Sequence, residues 1–280
     1  MRLIAPLRHI VPACFGLLAL AQPAQAAWRE ESLQVPSTRS GVSVNVLTAQ
    51  LAETNPPAAR FVVPANEIVL FFPGGPGVVR AAREGVREHP ERKSILGLMA
   101  EKIGATAVVG QPSDQRMGIS LEWRTGIEHV ADAGAVIDTL TGKNAQARVT
   151  LIGMSNGARS VTHVASALVR RGAPKLAGVV LMAAAGEAFP ETAMDALKAA
   201  KVPVLVVHHK RDSCLFYEDV EPVAKWHAFL TIEDSKHPRV NRARRDCGND
   251  SAHQFAGKED IVFTAVAEWL KTGKLKETYL

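Results

Sequence analysis

The sequence predicts an α/β protein whose core is a mostly parallel central sheet with helices on both faces. Three observations carry this. A fully apolar run of strand length at 68–72 and mostly apolar ones at 105–109, 149–152, 178–183 and 202–208 recur, as expected of strands covered on both sides. Between them lie segments with apolar residues at helical spacing, so strands and helices alternate along the chain. The chain has 280 residues, 47% of them hydrophobic, enough for one large domain with a substantial core.

Residues 1–26 stand apart. Arg2 and Arg8 give a basic start, 10–21 is mostly apolar, and Ala24-Gln25-Ala26 is a small-x-small cleavage site. That is the pattern of a secretory signal peptide. The apolar run is short for a bilayer span. Cys14, with apolar residues still following it, sits poorly for a lipoprotein site. The mature chain is then expected to be a single domain over 27–280, periplasmic or secreted. The formal net charge of +5, lowered by loss of the two leader arginines, is too small to indicate nucleic-acid binding. Export also suits the cysteines. Cys214 and Cys247 remain as an even pair in an oxidising compartment, and a disulfide between them is expected. The alternative is a zinc site made from both with His209 or His253, but no C-x-x-C or H-x-x-x-H spacing supports it. No metal or cofactor is expected.

The span 27–66 reads as an opening β region. Val42, Val44 and Val46 alternate with Ser43 and Asn45, ahead of a loop over 53–59 broken at Pro56-Pro57. The strand 68–72 ends in Pro73-Gly74-Gly75-Pro76-Gly77. Residues 80–103 carry Val86, Ile95, Leu96, Leu98, Met99 and Ile103 among many charges, and read as helix interrupted at Pro90. The strand 105–109 opens into a loop containing Ser113 and Asp114. These are candidates for a pocket rim, since ligands gather at the carboxyl ends of parallel strands, although turn chemistry explains them equally. A helix is predicted over 127–140, with Glu122, Glu128 and Asp132 as solvated helix charges.

The strand 149–152 runs through Gly153-Met154-Ser155-Asn156-Gly157 into Ala158, Val161, Val164, Ala165 and Leu168 at helical spacing. This is strand, sharp turn and helix, with a serine at the apex. About twenty residues separate the strands 178–183 and 202–208, room for a helix at 191–200 and not for a large lid domain. A strand near 229–232 and a last helix, with Ile261, Val262, Ala265, Val266, Trp269 and Leu270 at helical spacing, close the chain.

At Ser155 the chain resembles the α/β-hydrolase superfamily, whose nucleophile elbow is a G-x-S-x-G set between a strand and a helix. The resemblance implies the α/β-hydrolase fold and a triad in the order Ser155, Asp212, His253. Asp212 lies just past the strand 202–208, with Glu218, Asp219 and Asp234 as local rivals. His253 lies between the last strand and the last helix. His208 and His209 read as strand-end residues, and His227 and His237 as surface ones. The oxyanion donors implied are backbone N–H groups of Asn156 and of Gly74–Gly75. Pro73 stands where esterases and proline iminopeptidases carry histidine.

With LVVHHKRDSC, Cys247 and SAHQF, the likeness extends to exported serine hydrolases of Gram-negative bacteria. It implies cleavage of a carboxylester, thioester or lactone of a small-molecule acyl substrate through an acyl-enzyme. A peptidase of the proline-iminopeptidase kind and a non-catalytic envelope binding protein on the same scaffold are the alternatives. The basic run holding Lys236, Arg239, Arg242, Arg244 and Arg245 reads as a solvated loop, or as a weak attraction for anionic substrates or surfaces.

Overall fold

The computed structural model describes residues 28–51, 67–79, 86–89, 95–144, 146–172, 175–234 and 236–276. The expected signal peptide, the loop 53–59 and Pro90 lie outside them. The described strands form a nine-stranded sheet: β1 (Trp28–Pro36), β2 (Ser43–Leu51), β3 (Glu67–Phe72), β4 (Val86–His89), β5 (Thr106–Pro112), β6 (Arg148–Met154), β7 (Lys175–Met182), β8 (Val204–His209) and β9 (Ala228–Ile232). Their spatial order is β4-β1-β2-β5-β3-β6-β7-β8-β9. Every pairing from β5 to β9 is parallel. β2, β1 and β4 extend one edge in antiparallel fashion.

The helices are α1 (Ile95–Lys102), α2 (Leu121–Thr125), α3 (Ile127–Thr141), α4 (Asn156–Arg171), α5 (Glu191–Ala199), α6 (Tyr217–Val220) and α7 (Glu259–Thr272). They cover the sheet on both faces, and the strand period of two explains why the strands are apolar throughout. In β3, Ile68, Leu70 and Phe72 face one core with Val136 of α3, Val161 and Val164 of α4 and Leu197 of α5. Val69 faces the other, with Met99 of α1 and Val262, Phe263 and Trp269 of α7. β6 splits the same way: Leu151 belongs to the first core and Ile152 to the second. One residue of register slip would carry each side chain to the wrong core.

Three sequence-based expectations are corrected. Residues 86–89 are not helical but form edge strand β4 against β1. His89 precedes Pro90, which disfavours α-helical backbone at that position, and β1 offers unpaired backbone groups that a fourth strand satisfies. Asp132 is not a solvated charge: it is 1% exposed on the inner side of α3. Arg39 donates to it from Nε at 3.1 Å and Nη2 at 2.8 Å, tying α3 to the β1–β2 turn. Glu122 and Glu128 are exposed, as expected. Third, His237 is buried rather than a surface residue. The β7–β8 connection holds a short 3-10 turn, Gly186–Ala188, and α5, with no lid domain.

Candidate active site

β6 lies in the middle of the parallel strands, and the chain turns sharply at its carboxyl end to begin α4. Ser155 sits at the apex with φ 52° and ψ −120°, a backbone conformation costly for a residue with a side chain. The two glycines of the pattern have a steric cause. A Cβ at Gly157 would run into the Phe72 carbonyl of β3, and one at Gly153 would meet the backbone of Ala158. Neither position admits a side chain while α4 packs this closely on the sheet. The Ser155 N–H donates to the Met182 carbonyl at 2.9 Å, which ties the turn to β7.

The loop after β3 faces this serine. A Cβ at Gly74 would lie 3.0 Å from Ser155 Cβ and 3.6 Å from its Oγ, so glycine there leaves space beside the hydroxyl. The turn is closed by Gly77 N–H donating to the Gly74 carbonyl at 3.0 Å. Asn156 Nδ2 donates across to the Gly75 carbonyl at 3.4 Å, linking loop and helix start. The backbone N–H groups of Gly74, Gly75 and Asn156 make no hydrogen bond to another described residue.

Asp212 and His253 meet although 41 residues separate them: His253 Nδ1 lies 2.8 Å from Asp212 Oδ2. Both are essentially buried. Asp212 follows β8, and His253, in a 3-10 turn, Ala252–Gln254, before α7, is bonded to it, so both lie at the carboxyl-terminal end of the parallel strands, the end that carries Ser155. The other oxygen of Asp212 accepts from the N–H groups of Cys214 at 2.8 Å and Leu215 at 2.9 Å. Burial alone would push this carboxyl upward. Hydrogen bonds from His208 and His253 outweigh it and hold Asp212 well below the usual carboxylate range. His208 is a contributor the sequence reading placed only at a strand end. Its Nε2 is 2.8 Å from the Leu215 carbonyl and 3.4 Å from Asp212 Oδ2. The i, i+4 spacing of His208 and Asp212 across a tight turn permits this contact but does not mark it in the sequence.

Cys214 and Cys247 form a disulfide. The rivals of Asp212 lie elsewhere. Glu218 and Asp219 are exposed on α6, and Asp234 belongs to a separate cluster with His209 and His237. Ligand atoms of these three lie within 4.8 Å of one another. His237 Nδ1 is 3.0 Å from both oxygens of Asp234. The Arg211 N–H donates to His209 Nδ1 at 3.0 Å, so the ring proton resides on Nε2, 3.6 Å from Asp234. A metal would need a lone pair at that nitrogen. The group is a carboxylate bonded by the His237 ring, with the His209 ring close beside it but not hydrogen-bonded to it. Burial opposes the Asp234 charge, but hydrogen bonds from the His237 backbone and ring overcome this and hold its carboxyl down at about 2.

An apolar cavity of about 220 Å³ runs from Gly74, Met154 and Gln254 to Leu96, Met99 and Phe255. A larger cleft of about 660 Å³, lined by Glu67, Lys102 and Arg148 among others, opens at the amino-terminal end of β3 and β6, away from Ser155. Size therefore does not locate the chemistry here. The rim candidates have structural partners: Asp114 pairs with Arg39, and Ser113 Oγ accepts from the Ser43 N–H. Lys236, Arg239, Arg244 and Arg245 are exposed, as is Arg242, whose guanidinium lies over the Phe216 ring and 3.5 Å from Glu218. His227, expected at the surface, is half-buried. Arg124, which no motif singled out, lies behind the Gly74–Gly77 turn with no exposed surface.

No protein-family model matches the sequence, and no curated protein matches it. Solved structures do resemble it. Est1E from Butyrivibrio proteoclasticus superposes with a TM-score of 0.53 at 14% identity, covering 86% of this chain and 98% of that one. Carboxyl esterase 2 (TmelEST2) from the mycorrhizal fungus Tuber melanosporum gives 0.51 at 12% identity, over 94% and 90%. An esterase from Rhizomucor miehei gives 0.52 at 13% identity, over 87% and 83%. Such low identities speak to architecture alone. With the parallel strand order and the Ser155 elbow at the tip of the middle strand, they establish that this chain has the α/β-hydrolase fold.

Proposed function

We propose that the protein is an exported serine hydrolase that cleaves an ester-type bond, a carboxylester, thioester or lactone, through Ser155, His253 and Asp212. The observation that carries this is the buried 2.8 Å pair of His253 Nδ1 and Asp212 Oδ2 at the same carboxyl-terminal end of the parallel strands where Ser155 is held on its strained turn. With Nδ1 committed to the carboxylate, His253 Nε2 is the nitrogen left to accept the serine proton. Ser155 Oγ attacks the acyl carbonyl while His253 takes its proton. The oxyanion is held by backbone N–H groups of Asn156 and of the Gly74–Gly75 segment. Collapse expels the leaving group with the proton from His253. Water, deprotonated by the same ring, then releases the acid. Asp212 orients the ring and stabilises its cation. The apolar cavity beside Gly74 and Met154 favours a small apolar acyl or alcohol group. Export is supported by the leader pattern and fits the disulfide. Among the described residues no helix is long and apolar enough to cross a membrane. Weak attraction of anionic substrates by the basic run 236–245 is part of the same proposal.

The test is labelling of the oxidised protein with a fluorophosphonate beside Ser155→Ala, followed by peptide mapping. Label on Ser155, absent from the variant, is the expected result. A folded, oxidised protein that takes no label would overturn the hydrolase reading in favour of a binding role.

A further inference from the structure

Arg124 is the largest side chain buried without exposed surface, and it has no acidic partner among the described residues. Burial, with repulsion from the Arg159 cation, pushes its guanidinium down to about 10, so it is still charged at neutral pH. It makes two side-chain hydrogen bonds, both to neutral acceptors. Nη1 donates to Ser160 Oγ on α4 at 2.9 Å, and Nη2 donates to the Gly75 carbonyl at 2.9 Å. Its Nε is buried with no partner. The loop is shaped around it: a Cβ at Gly77 would come within 2.8 Å of Nη2.

A buried guanidinium with no acidic partner among the described residues is costly to fold around, since its charge leaves water for neutral acceptors only. Folding alone therefore gives a poor account of Arg124. Its position gives a better one. The two acceptors it joins belong to the two bodies that would flank an oxyanion at Ser155: the Gly74–Gly77 turn on one side and α4, which starts at Asn156, on the other. A planar fork presents two donors at a fixed spacing that reaches both acceptors, whereas the donors of an ammonium radiate from one atom on a shorter head.

We infer that Arg124 is a positioning residue for the oxyanion site, fixing the spacing between the Gly74–Gly75 donors and the start of α4 and leaving a net positive charge behind the place where the acyl oxygen becomes negative. This rests on the hydrolase reading above. Charge that develops only in the transition state is stabilised by a fixed cation without reorganisation. A gap widened by even an ångström costs about 100-fold in rate.

The experiment compares Arg124→Lys, Arg124→Met and Ser160→Ala with the parent protein. It measures kcat and KM on p-nitrophenyl butyrate, the rate of fluorophosphonate labelling, and amide hydrogen exchange over residues 73–79. Arg124→Met is expected to lower kcat by about 100-fold with KM within about threefold, and to slow labelling in parallel. Arg124→Lys keeps the charge but not the planar fork, and is expected to lose about tenfold. Ser160→Ala is expected to lose less, and all three to speed exchange over 73–79. Folded variants with unchanged kcat, or with the loss confined to KM, overturn the inference. Should Arg124→Met not fold, the lysine and Ser160→Ala variants decide it by the same criteria. If the parent protein takes no label, the hydrolase reading has failed separately. Exchange then still reads the tether: acceleration confined to 73–79 upholds it, and unchanged exchange overturns it.

Discussion

At the scale of single residues, the site depends on charges kept where solvent is scarce. Asp212 illustrates how. One oxygen is held by two backbone N–H groups and the other serves His253, so the carboxylate is fixed before any substrate arrives. Asp212→Asn tests this with little change of shape. The amide oxygen can keep the bonds from Cys214 and Leu215, but its NH₂ would then face His253 Nδ1 and force the opposite tautomer. A fall in kcat of about 10³–10⁴-fold at neutral pH is expected, with the melting temperature shifted far less. Steady-state kinetics beside a thermal melt checks both halves. Equal kcat in parent and variant would remove Asp212 from the proposed mechanism.

At the scale of elements, the long exposed connection between β9 and the His253 turn is the weak point. Residues 241–250 are all exposed, so packing contributes little to holding them. The disulfide anchors this stretch instead, joining Cys247 to Cys214, whose own N–H binds Asp212. It closes a separation of 33 residues, for which restriction of the unfolded chain is worth about 3–4 kcal/mol. Reduction, or the Cys214→Ala, Cys247→Ala double variant, is expected to lower the denaturation midpoint accordingly. It should also lower kcat, because the histidine loop and acid loop lose a common tether. Unchanged activity after verified reduction would make the bridge a matter of stability only.

At the scale of the whole molecule, buried titratable groups set the acid limit of the fold. Burial, with the nearby charges of Arg124 and His163, pushes His129 down to about 3 from its ordinary 6.5. Below pH 6.5 the unfolded chain takes up a proton that folded His129 refuses, so stability falls with pH until about pH 3. The slope from this group is at most about 1.4 kcal/mol per pH unit. His163, His209 and His227 are also held down by burial and act with the same sign. Asp234, held at about 2 against an ordinary 3.8, adds stability that is complete above pH 3.8 and lost as pH falls toward 2. His129 Nε2 has no hydrogen-bond partner, so His129→Leu breaks no bond at that atom. Urea midpoints for the parent and His129→Leu at pH 7, 6, 5 and 4 should diverge as pH falls, the variant losing less. Parallel curves would show that His129 is not the group responsible.

Much of this protein was legible in the sequence because its signals are local. Apolar runs and helical spacing report which faces must leave water, and these marked β3, β5–β9, α3, α4, α5 and α7. The Ser155 turn was legible for the same reason, since its two glycines answer close contacts with residues nearby in chain or strand order. β4 was not: four residues ahead of a proline carry no strand pattern of their own, and β1 supplies the hydrogen bonds that make them a strand. Charged and imidazole groups were read least well. Asp132, His237 and Arg124 look like surface residues in a linear chain, yet each is buried by contacts with other parts of the fold. Apolar burial is favourable almost wherever it occurs, so the sequence by itself determined the layers and the elbow. Burial of a charge is tolerable only beside particular groups brought in by the fold. The tertiary structure alone could therefore decide that His208 supports Asp212, that Asp234 gathers two imidazoles, and that a guanidinium stands behind the Gly74–Gly77 turn.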